Sequence, residues 1–257
     1  MAVQAYDAAV ALLPDDPQIE FESRRARGYL HGYRDWPQAA CEFAVARRLM
    51  PDQSGIWNFE AVSQLAAGNR EAYRQLCSEM LERFAATADP RMAQNVVFAC
   101  VLESDAVPNP SQLIPLGHVA DRLHHGNSRG VGAAFYRAGQ YEEAVRQLEA
   151  SVHLVTPRSW EWCFLAMAHH HSGHTAEANR CLQSAARWIA NADRTPPADV
   201  RNGPLEWGGF TERFEFPLLY AEAAALIGSS QSNAAPPITQ NQTSDFRFHH
   251  TQLTSEN

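Results

Sequence analysis

Two short stretches hold the residue types best suited to chemistry. Gly126-Asn127-Ser128-Arg129-Gly130 matches the G-x-S-x-G pattern, with histidines just before it. In hydrolases that pattern raises a nucleophilic serine on a strained turn from a buried strand into a helix. Here the preceding stretch, Leu116–Leu123, is polar and helical in period, so the required strand is missing. The repeat register set out below puts Ser128 inside a helix, and no hydrolase is read from it. The second stretch is His169, His170, His171 and His174. His170 and His174 are four apart, a spacing that sets two imidazoles on one helix face. A structural zinc site wants four ligands, and only Cys163 and Glu177 are close in sequence. Gly173 is expected to end the helix between the two histidines, and no H-E-x-x-H occurs. These histidines are therefore read as solvated or groove-lining, and no metal or cofactor is assigned.

Other chemistries are excluded by what the chain lacks. All 21 basic residues are arginine, and there is no lysine. That removes the P-loop lysine, the phosphate-anchoring lysine of protein kinases and any Schiff base. Neither a G-x-G-x-x-G loop nor H-R-D nor D-F-G is found, and Asp245-Phe246-Arg247 is a chance near-match. The formal charge of −8 argues against nucleic acid, which requires a clustered basic surface. Cys41, Cys77, Cys100, Cys163 and Cys181 are odd in number and scattered, and are expected to be reduced thiols filling helix interfaces. No apolar run approaches the roughly 18–20 residues a membrane helix needs. The start lacks a basic segment before its apolar stretch, so no signal peptide is read and a cytoplasmic location is expected.

The elements that would position any site follow from a period of 34. Gly132, Phe135, Gly139, Tyr141, Ala144, Leu148 and Ser151 become, 34 residues on, Ala166, His169, Gly173, Thr175, Ala178, Leu182 and Ala185. Small residues fall on small ones and the glycine recurs. Trp162 and Leu165 stand at the W-x-x-L spacing that opens a tetratricopeptide repeat. The chain resembles that family, which implies an all-α, right-handed superhelix of antiparallel helix pairs. Two amphipathic helices cannot bury their faces alone, so each pair must stack on the next. Gly139 and Gly173 are expected at left-handed caps, Ala144 at a close crossing, and Pro51 and Pro157 after second helices.

The register predicts units at about 20–53, 54–87, 125–158 and 159–192. Between them lies an irregular pair over 88–124, its helices Pro90–Leu102 and Ser111–His124 split by Pro108 and Pro110. Residues 1–19 match only the second half of a repeat. In the second unit Tyr73 stands where a small alanine belongs. Residues 193–228 read as a loop followed by a helix over Pro217–Ile227, which is expected to cap the last repeat. From 229 to 257 the chain is polar and is expected to be disordered.

A closer resemblance rests on Trp57, Ala67-Gly68-Asn69, Tyr73-Arg74, Cys77, Met80-Leu81, Arg83-Phe84, Asp89-Pro90 and Ala99-Cys100. Phe135-Tyr136-Arg137-Ala138-Gly139, Trp162, Leu165 through His169, Trp207, and Ala221-Glu222-Ala223 within Leu218 to Leu226 extend it. Together these look like the carboxy-terminal repeat region of planctomycete serine/threonine protein kinases and WD-repeat proteins. The resemblance implies a non-catalytic, signalling-related scaffold that holds a protein or peptide in a concave groove. Its alternative is the regulatory region of a kinase whose catalytic domain is absent from this chain. Groove positions carried over from the repeat family are Arg24, His31, Asn58, Arg129, Tyr136, Arg137, Trp160, Met167, His170 and His171. Arginine grips carboxylates with two parallel hydrogen bonds and aromatics add contact area, so an acidic or carboxy-terminal segment is the expected ligand. The paired lysine and asparagine of chaperone-binding members are missing.

Overall fold

The computed structural model describes residues 2–13, 15–124, 129–154, 159–194 and 210–228. Ser128, Pro157, most of the 193–211 loop and the 229–257 tail, each given an expectation above, lie outside them. The described residues are helical throughout, with turns between and no strand. In order the helices are α1 (Ala2–Leu12), α2 (Pro17–Gly32), α3 (Trp36–Leu49), α4 (Ser54–Ala66), α5 (Arg70–Phe84) and α6 (Pro90–Cys100). They continue with α7 (Leu113–Ala120), α8 (Arg129–Arg137), α9 (Tyr141–Leu154), α10 (Ser159–His171), α11 (Thr175–Arg194) and α12 (Glu212–Gly228).

Helix starts are written in local chemistry. Asp16 accepts from the backbone N–H of Gln18 and Ile19, with Pro17 opening α2. Asp89 does the same for Arg91 and Met92 ahead of Pro90. An aspartate cap satisfies donors that have no partner inside the helix, and proline at the first position loses none. Ends are as regular. Gly68, Gly139 and Gly173 all lie at φ between 75° and 84°. At each, the residue after glycine donates to a carbonyl five back: Asn69 to Gln64, Gln140 to Phe135, His174 to His169. That is the Schellman turn, and only glycine enters its left-handed position without strain. The first pair has no glycine there, and Tyr33 ends α2 in a right-handed conformation instead.

Consecutive helices pack in pairs, α2 with α3, α4 with α5, α6 with α7, α8 with α9 and α10 with α11. The first helices also stack on one another, α4 on α6, α6 on α8 and α8 on α10. Ala39, Ala144 and Ala178 are fully buried, as expected of crossing positions. A Cβ added to Gly132 would stand 2.5 Å from Leu148 Cγ, so α8 and α9 meet closely there. Four cysteines are buried among the helices, while Cys41 is exposed, against expectation.

The irregular third pair has a physical origin. Tyr73, at an alanine position, is fully buried, and its hydroxyl donates to the Ala99 carbonyl at 2.7 Å. That carbonyl belongs to the last turn of α6, where helix acceptors lack internal partners. The phenol therefore needs the end of α6 close by. The chain leaves the helix at Val101 and resumes through a short 3-10 turn at Pro110–Gln112, before α7.

The last helix departs from expectation. It starts at Glu212, not Pro217, and carries Pro217 inside its second turn. The backbone N–H groups of Phe214 and Glu215 bond the Thr211 carbonyl, so Thr211 begins the helix five residues early. Proline at 217 lacks an N–H, which leaves the Arg213 carbonyl without its helical donor.

Candidate functional site

In an array of helix pairs the first helices share one face, and here the segment Phe210–Gly228 lies against it. Helix α12 packs on α10 and α11, with Phe216 edge-on to Trp188 at 4.9 Å. Beyond its start, Phe210 is buried among Tyr29, Trp36, Phe43 and Phe59 of α2, α3 and α4, at ring separations of 5.3 to 5.8 Å. A Cβ on Gly32 would fall 2.3 Å from the Phe210 ring, so the bare backbone of α2 is what admits it. Phe214 adds a contact to Trp36 at 5.8 Å. The segment thus reaches from the last pair back to the first. It was expected only to cap the last repeat.

The polar centre of this face is Arg137, at the end of α8. Its guanidinium meets Glu222 of α12 with two parallel bonds, Nη1 to Oε1 at 2.5 Å and Nη2 to Oε2 at 2.7 Å. Nε donates to the Val101 carbonyl at 2.7 Å and Nη2 to that of Leu102 at 3.2 Å. The rings of Tyr136 and Phe164 lie 5.4 and 5.2 Å from it. The arginine side chain is only 2% exposed, the glutamate 32%. A planar fork suits this double task, since one edge holds a carboxylate while the rest bonds the carbonyls at the end of α6.

The positions expected to line a groove divide accordingly. Met167 and Trp160 are buried, Trp160 against Phe98 and Phe164, and offer no surface for a ligand. Tyr136 is buried between Tyr141 and Phe164, and burial pushes its phenol up. Arg137 is committed to the contacts above. These four are parts of the packed interior because neighbouring first helices approach too closely to leave them open. Asn58 is buried beside Phe59 on α4, and its Oδ1 has no hydrogen-bond partner among the described residues. Arg24 is half-buried and pairs with Glu42 at 3.2 Å and Glu20 at 3.4 Å. His31 and His170 are half-buried, and His171 is exposed, stacked on Tyr141 at 4.3 Å. Arg129 starts α8, but its side chain lies outside the described residues.

The histidine cluster is arranged differently from its sequence spacing. His174 meets His169, not His170, with the two Nδ1 atoms 3.3 Å apart. The Schellman turn at Gly173 carries His174 back over the last turn of α10. His169 Nε2 lies 3.6 Å from Glu149, and burial lowers the pKa of His169. Among the described residues no three His, Cys, Asp or Glu side chains are grouped to hold a metal ion. None of the described helices is long and apolar enough to cross a membrane.

Sequence reasoning missed Phe210 and Glu222 as members of the face. The signal for Phe210 was the aromatic-rich run from Trp207 to Phe216, and for Glu222 the Ala221-Glu222-Ala223 run of the family resemblance, which a single-sequence reading assigns to a loop and a cap.

Fold and site together define an all-helical array of stacked helix pairs whose first-helix face is covered by the chain's own segment. No family model and no curated protein matches the chain. Among solved structures, a point mutant of MamA is similar over 67% of this chain and 99% of that one, at 16% identity and a TM-score of 0.41. Yeast Tom70 is similar over 94% of this chain and 46% of that one, at 14% identity and a TM-score of 0.42. The chain therefore spans about half the length of Tom70. Likenesses this distant carry no argument about function.

Proposed function

We propose that this chain is a non-catalytic interaction scaffold whose first-helix face binds a helical segment of another protein. One observation carries this reading: the face already grips a helical segment, through a buried aromatic at one end and a bidentate carboxylate at the other. A surface that holds Glu222 on Arg137 has the chemistry to select an acidic segment, which supports the specificity inferred from the sequence. The resemblance to kinase-attached repeat regions supports a place in signalling.

Selection of helical peptides against the full chain, in wild-type and Glu222→Gln forms, tests the proposal. Recovered peptides should share an aromatic residue and a downstream acidic one, and His31→Ala or His171→Ala should weaken those that touch the open part of the face. Recovery of no sequence-specific peptide on either form would sink it.

A further inference from the structure

Resting on that reading, we infer that Phe210–Gly228 is a displaceable self-ligand, and that the true partner is a segment carrying an aromatic residue and, about twelve positions later, a carboxylate on a helix. The spacing is that of Phe210 and Glu222, the aromatic and the carboxylate through which the segment meets its two receptors. Phe210 enters a ring of four aromatics over the bare backbone of Gly32, a recess open to any aromatic side chain. Glu222 supplies a carboxylate to an arginine already ordered by two backbone carbonyls. Both receptors belong to the repeat array.

Phe216, Leu219, Ala223 and Ile227 bury α12 in the core, and two features offset that docking. Pro217 removes one of its own helical hydrogen bonds. Glu215 buries its carboxyl with Thr211 as its hydrogen-bond partner among the described residues, whereas released into water it would be solvated. A partner without the proline and the buried acid would hold the face better. An intramolecular ligand is favoured by high effective concentration, so modest defects of this kind keep it exchangeable. Glu222 is half-buried and the more accessible member of its pair, so the bond can open from the α12 side without uncovering Arg137 first.

The test combines native-state hydrogen exchange on the full chain with anisotropy of a labelled synthetic peptide of residues 210–228. Amides of α12 should exchange at least about tenfold faster than those of α8 and α10, through local opening. Glu222→Gln and Phe210→Ala should speed that opening and raise the affinity of the chain for the wild-type peptide at least about tenfold. The peptide with its own Phe210→Ala change should lose binding. Exchange of α12 only on global unfolding overturns the inference, as does an opened α12 with no peptide bound. A Phe210→Ala chain that fails to fold also overturns it, because a segment required for folding cannot leave. Concentration-dependent dimers of the wild type would make a second copy the occupant and reject a foreign partner. If selected foreign peptides bind the wild type while α12 stays docked, the scaffold reading survives and this inference alone fails.

Discussion

Replacing Arg137 by methionine separates a structural arginine from a ligand-gripping one. Methionine keeps much of the length and apolar contact with Tyr136 and Phe164 but deletes every donor. Val101 and Leu102 are buried, and each would lose the donor to its carbonyl. A buried acceptor left unsatisfied costs about 1–3 kcal/mol. The ring contacts add about 0.5–1 kcal/mol. Glu222 is a third exposed and recovers water, so its pairing contributes at most about 1 kcal/mol. Relief from burying a guanidinium works the other way, since apolar replacement of a buried ion pair is often neutral or better. The balance is a loss of about 2–4 kcal/mol, read as a lower urea midpoint at unchanged slope. A double-mutant cycle with Glu222→Gln should show coupling, because the two side chains touch. A stability change under about 0.5 kcal/mol, with peptide binding abolished, would refute the structural role and return Arg137 to the ligand.

Further predictions follow from single positions. Ala144→Leu should cost about 1–3 kcal/mol by overpacking a fully buried crossing, measured by urea unfolding. Gly173→Ala should cost about 1–2 kcal/mol from backbone strain alone, since a Cβ there meets no neighbour within 4 Å. Stability should also fall as pH rises from about 4.5 to about 7. Burial pushes the Glu215 carboxyl up to about 7 from its ordinary 4.5, so the folded chain keeps a proton that the unfolded chain has released. Its support is complete below 4.5 and is withdrawn as pH passes about 7. Asp121, also pushed up to about 7 by burial, adds to the slope. Glu215→Gln should flatten the profile in part, and an unchanged slope would count against the buried acid.

The helix pairs were legible because their signals are local. Glycine at 139 and 173 declares a left-handed cap whatever surrounds it, and the helix expected from Pro90 begins on the hydrogen bonds of Asp89. A period of 34 with small residues at Ala144 and Ala178 then implies stacking, because no pair buries its face alone. The candidate site was less legible. Sequence placed Tyr136, Arg137, Trp160 and Met167 on one face but could not tell an open face from a covered one.

That distinction depends on how tightly the first helices approach and on what lies across them, quantities no local pattern carries. Phe210 and Gly32 belong to the last and first parts of the array, and Glu222 is 85 residues from Arg137. Such contacts depend on the accumulated turn of the whole array, to which every helix crossing adds a small rotation. The amino-acid order settles each crossing. Only their sum in three dimensions brings the last helix back to the first, and makes a predicted ligand groove the seat of the chain's own segment.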